Sequence, residues 1–92
     1  MRAVHPGRIL KRELEARRLS ANALALALRT PSGRITDILN GKRAVSVETA
    51  MRLGRYFGQS PRFWLNLQTS YDLAQAETRI GDRIDNEVAP AA

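Results

Sequence analysis

Apolar residues along this chain recur at the spacing of helices, not of strands. Ile9, Leu10 and Leu14 share one face of a segment that Pro6 opens and that runs to about Arg17. Ser20 is a good N-cap for the run ANALALAL, which is rich in strong helix formers. Thr30-Pro31 predicts a cap followed by proline at the first position of a third helix, and Asn40-Gly41 is its stop signal. Ser46 caps a fourth helix that ends near Gly58. Ser60-Pro61 opens a fifth, predicted to run from 61 to about Arg79, with Gly81 interrupting it. No stretch alternates with a period of two, so no strand is assigned. The expectation is an all-α fold: one five-helix domain over residues 1–80 and a tail at 81–92. That tail is either flexible or folded back through Ile84 and Val88.

Only Arg29 and Thr30 separate the second and third helices, which is the helix-turn-helix arrangement. On the third helix, Pro31, Ile35, Ile38 and Leu39 fall on the face predicted to pack on the core. Ser32, Gly33, Thr36, Asp37 and Asn40 fall on the other face, with Arg34 at its edge. Small polar side chains let a helix enter a major groove and meet base edges. Lys42 and Arg43 follow at once, placed for flanking phosphates.

The fifth helix carries two apolar stripes. Phe63, Trp64, Leu67, Tyr71 and Ala74 form one; Phe63, Trp64 and Tyr71 are expected in the core. Leu65, Leu73, Ala76 and Ile80 form the second, with Gln68 among the polar residues that separate the two. A surface helix of a monomer needs one stripe. The second predicts either a folded-back tail or a second copy of the chain, and a homodimer would set two reading helices about one DNA turn apart (~34 Å).

Charge sharpens this division. Residues 1–62 carry 13 Lys/Arg against 4 Asp/Glu, and residues 63–92 carry 2 against 5; the chain totals +6. A basic half beside an acidic half suggests a polyanion at one end and a different partner at the other. There is no cysteine and one histidine, His5, so no metal site is expected, and His5 is assigned a structural role at the first helix. No nucleophile constellation is present, so no enzyme and no cofactor are expected. No apolar run approaches membrane-spanning length and no secretory signal opens the chain, so the expected location is the cytoplasm.

The segment LSANALALALRTPSGRITDILNGKR resembles the helix-turn-helix of the phage repressor/Cro-like (XRE) family. That resemblance places Ser32, Gly33 and Asp37 over bases, with Arg34 and Thr36 beside them. It places Ser20 to Asn22, at the start of the preceding helix, on phosphate. Two features depart from the family pattern. Arg29 stands where the turn usually has glycine, and Gly33 and Asp37 leave direct readout mainly to Arg34. More widely, HPGRILKREL, SANALA and NGKRAVSVETAMRLGRYFGQSPRFWLNLQTSYDLAQAE resemble the HigA-type antitoxins over residues 5 to 77. The resemblance implies a homodimer that binds operator DNA at its own promoter and represses it. It also implies binding and neutralisation of a HigB-type toxin, a RelE-like mRNA-cleaving ribonuclease. The toxin would meet either the acidic half, with Asp72, Glu77, Asp82, Asp85 and Glu87, or the N-terminal helix. The alternative reading is a stand-alone Cro-like regulator with no toxin.

Overall fold

The computed structural model describes residues 3–91, and among them lie five helices and no strand. They are α1 (Pro6–Arg17), α2 (Ala21–Leu28), α3 (Ser32–Leu39), α4 (Val47–Phe57) and α5 (Pro61–Glu87). Side-chain caps set most of the starts. Ser20, Ser46 and Ser60 each accept a first-turn N–H, from Ala23, Thr49 and Arg62 respectively. His5 does the same for α1, its Nδ1 accepting from Gly7 N–H at 2.9 Å. Its ring stands edge-on to Tyr71, with centroids 5.0 Å apart, so the lone histidine ties the start of α1 to α5.

The first four helices end alike. A left-handed residue follows each end, directly after α1, α2 and α4 and one residue later, at Gly41, after α3, and the next N–H reaches back five residues: Leu19 to Leu14, Thr30 to Ala25, Lys42 to Asp37 and Gln59 to Gly54. Two of the left-handed residues are glycines, Gly41 and Gly58; the other two are Arg18 (φ 53°) and Arg29 (φ 56°). An L-residue gives up about 1–2 kcal/mol in that region, part of which glycine returns through its freer unfolded chain. Arg18→Gly should therefore stabilise the fold by ~0.5–1 kcal/mol, raising Tm by roughly 2–8 °C in a thermal melt.

The core gathers Leu10, Leu14, Leu24, Leu28, Ile35, Ile38, Leu53 and Trp64 from all five helices. Five expectations need correction. The N-cap position of α3 is Pro31, not Thr30, and it makes no side-chain cap bond, because Thr30 closes the end of α2 instead. Pro31 thus lies outside the helical wheel and is exposed. Gln68 is no separator of stripes. It is buried at the centre of the packed face of α5, where its Oε1 accepts Val45 N–H at 2.8 Å and its Nε2 donates to Asp72 at 2.9 Å. The packed face therefore centres on Trp64 and Gln68. Phe63 falls at its edge, 42% exposed, and Tyr71 is half-buried.

Finally, α5 does not stop near Arg79 but continues through Gly81 to Glu87, eight residues further. A single interior glycine costs only ~1 kcal/mol, which the rest of a long helix absorbs. Twenty-seven residues at 1.5 Å give α5 a length of about 40 Å. Its distal half accounts for the elongated shape, 51 × 22 × 22 Å. No described helix is long and apolar enough to cross a membrane.

Candidate nucleic-acid interface

Helix α3 is held from behind and open in front. Ile35 and Ile38 are fully buried and Leu39 packs against the core. Ser32, Gly33, Thr36 and Asn40 are exposed, while Arg34 and Asp37 are half-buried at the flanks. A Cβ added at Gly33 would meet nothing within 4 Å, so the backbone there is open to close approach. The reading residues expected from the sequence thus share one accessible face.

Lys42 and Arg43 follow α3 on the exposed loop that Gly41 turns. Lys42 N–H donates to Asp37 O at 2.8 Å, which fixes the loop against the helix end. Arg43 Nε lies 3.9 Å from Asp37 Oδ2 between half-exposed side chains. That separation is too long for a hydrogen bond, and an exposed pair contributes at most about 1 kcal/mol. It nevertheless sets a cation beside the one carboxylate on this face, which reduces its repulsion of phosphate. Ser20 and Asn22 are both exposed at the start of α2. Ser20 Oγ accepts Ala23 N–H at 3.0 Å, and its own hydroxyl proton stays free to donate.

Three contributors were not evident in the sequence. Lys11 and Arg18, from α1 and its end, line a groove of about 470 Å³ together with Ser20 and Asn40. Glu15 lines the same groove, so the two cations leave the surface beside the start of α2 basic by one charge, and only the packing of α1 on α3 places them there. The third is Arg52 of α4. Its Nη1 donates to Leu28 O at 2.9 Å and its Nε to Glu48 at 3.1 Å. The Leu28 carbonyl opens the turn between α2 and α3, immediately before left-handed Arg29. The turn that lacks the usual glycine is therefore held by a tertiary hydrogen bond. Among the described residues no group of His, Asp and Glu gathers as metal ligands would.

Known proteins place this architecture. A helix-turn-helix family model matches residues 10–64. Virulence-associated protein I of Dichelobacter nodosus is 50% identical over 78 residues, spanning 84% of this chain and 72% of that protein. The structure of an addiction module antidote protein of a HigA family from Coxiella burnetii superposes with a TM-score of 0.94 at 48% identity, covering 98% of this chain and 99% of that one. The Pseudomonas aeruginosa antitoxin HigA, solved with the higBA promoter, gives a TM-score of 0.95 at 42% identity over 99% of this chain and 100% of its own. Likeness over the full length, including the long last helix, exceeds what a shared helix-turn-helix alone would give. The chain belongs to the helix-turn-helix family and, within it, to the HigA antitoxins, a family of regulators and not of enzymes.

Proposed function

We propose that this chain is an antitoxin that binds its own operator as a homodimer, represses transcription there, and binds and neutralises a HigB-type, RelE-like mRNA-cleaving toxin. The observation that carries the DNA reading is the free face of α3, backed by the full-length similarity to an antitoxin solved with promoter DNA. Arg34 is the residue with a fork able to take a guanine edge. Lys42, Arg43, Ser20 and Asn22 meet phosphate on either side. Gly33 lets the helix backbone come close to the groove wall, and Asp37 shares that face with Arg43 beside it.

The contributions of Arg34 and Lys42 separate by measurement. Arg34→Ala should lose ~1–3 kcal/mol on operator and little on random DNA, whereas Lys42→Ala should weaken both alike and lower the salt slope by about one. Equal loss on both duplexes for Arg34→Ala would remove it from base readout.

The dimer is supported by the second stripe of α5. Leu73 is 57% exposed, and Ala76 and Ile80 lie beside it. Leu65 also packs partly on its own core, so it is a poor probe of the interface. Leu73→Asp should shift the protein from dimer to monomer in sedimentation while leaving the helical circular dichroism intact; a variant that remains dimeric would place the interface elsewhere. The distal half of α5 offers Glu77, Asp82, Asp85 and Glu87 to a basic toxin. Co-expression with the product of the adjacent upstream reading frame tests neutralisation. Growth restored by this chain supports it, and continued arrest at matched expression contradicts it.

A further inference from the structure

Helix α3 is the one described helix whose start has no side-chain cap. His5, Ser20, Ser46 and Ser60 cap α1, α2, α4 and α5, whereas Pro31 precedes α3 and makes no such bond. Ser32, Gly33 and Arg34, at the reading end of the helix, occupy that uncapped first turn. Its direction is therefore set through the turn before it, Arg29 to Pro31. The same junction is short of support on its other side. Helix α2 is eight residues long, and its last turn carries no basic side chain to meet the carbonyls that a helix end leaves without partners.

Arg52 meets that need from across the fold. Its Nη1 donates to the Leu28 carbonyl, the last of α2, at 2.9 Å, while Glu48, one turn earlier on α4, accepts from its Nε at 3.1 Å and fixes the guanidinium. Among the described residues this is the one hydrogen bond between α4 and the α2–α3 pair. It gives the carbonyl a donor and sets a cation at the negative end of the α2 dipole. The next residue is Arg29, which holds a left-handed backbone at φ 56° without the freedom of glycine.

We infer that Arg52 is a positioning residue for operator reading. It fixes the direction of the first turn of α3 through the Leu28 carbonyl and touches no DNA itself. The inference rests on the operator reading above. Arg55 supplies an internal control. It is exposed on the same helix and lines the same groove of about 430 Å³ beside Leu28 and Arg29. It has no ion pair among the described residues. Removing either arginine takes one positive charge from the same surface, but only the loss of Arg52 takes the bond to the turn.

The test compares Arg52→Met, Arg55→Met and the double variant Arg52→Met with Arg29→Gly. Fluorescence anisotropy over a salt series measures binding to the chain's own promoter fragment and to a scrambled duplex. The temperature is one at which circular dichroism shows every variant folded. Arg52→Met should lower promoter affinity at least ~10-fold, the scale of a hydrogen bond to a charged group, and leave scrambled DNA within about twofold at an unchanged salt slope. Arg55→Met should keep the wild-type ratio between the two duplexes. Adding Arg29→Gly to Arg52→Met should restore most of the lost promoter affinity, because glycine keeps the left-handed turn without a strut. A lower Tm with an unchanged ratio among folded molecules would reduce Arg52 to a structural role and overturn the inference. Equal loss on both duplexes, with a salt slope smaller by about one, would make Arg52 a phosphate contact and overturn it too. A double variant no better than Arg52→Met would contradict the route through the turn. A wild-type chain with no preference for its promoter would overturn the operator reading itself, and this inference with it.

Discussion

Replacing Gly7 with alanine should destabilise the domain by about 3 kcal/mol, at the upper end of the overpacking range. Gly7 is buried in the first turn of α1, directly against the end of α3. A Cβ there would overlap the carbonyl oxygen of Ile38 and press on His5 Nδ1, which caps the same turn. The obstacle is backbone, not a flexible side chain, so α1 must lift from α3. For a domain of this size the change corresponds to a fall in Tm of roughly 12–24 °C. It also reaches function, because α3 is held in place by its packing on α1. Operator affinity measured well below the melting temperature should fall as well. A Gly7→Ala protein with unchanged Tm would show that α1 and α3 are not in this contact.

Trp64→Ala should cost ~3–5 kcal/mol, the range for emptying a large aromatic site. Trp64 is fully buried where α5 joins the bundle. Its Nε1 donates to Gln59 Oε1 at 2.8 Å, and that acceptor would lose its donor. Phe57 and Phe63 pack beside it, with ring centroids at 6.3 and 5.2 Å. The neighbouring Phe63→Ala should cost far less, because its ring already meets solvent. The comparison belongs in the monomeric Leu73→Asp background, so that loss of the dimer does not enter the urea midpoint. Equal losses at the two positions would contradict the assignment of Trp64 alone to the core.

The contrast between these two aromatics shows where sequence stops being informative. Helix starts were legible because their signals are local: Ser20, Ser46 and Ser60 each bond an N–H two or three residues on. The outward face of α3 was legible for the same reason, since Ile35 and Ile38 fix its inward side. The facing of α5 was not. Gln68 looks like a polar boundary on a helical wheel, yet its partner is the Val45 N–H, 23 residues away. Once Gln68 defines the buried centre, Phe63 moves to the rim and becomes available to a second copy. Lys11, Arg18 and Arg52 were hidden by the same limitation. Lys11 and Arg18 join the interface, and Arg52 the turn that supports it, only through packing between helices distant in sequence.

Arg29 illustrates the reverse case. Its presence in the turn reads as a departure from the family pattern, and the backbone keeps the family's left-handed geometry all the same. Arg52 supplies the compensation by binding the adjacent Leu28 carbonyl. A local rule is broken and a tertiary contact offsets it, so the turn between α2 and α3 is held without glycine.

Operator recognition by the outward face of α3 is the part of the proposed function on which the rest depends. Fluorescence anisotropy with the chain's own promoter fragment and a scrambled duplex of equal length tests it directly, at about 0.15 M salt. Binding to the promoter should be tighter by at least ~10³-fold, a preference that Arg34→Ala erodes. Equal affinity for the two duplexes would contradict it.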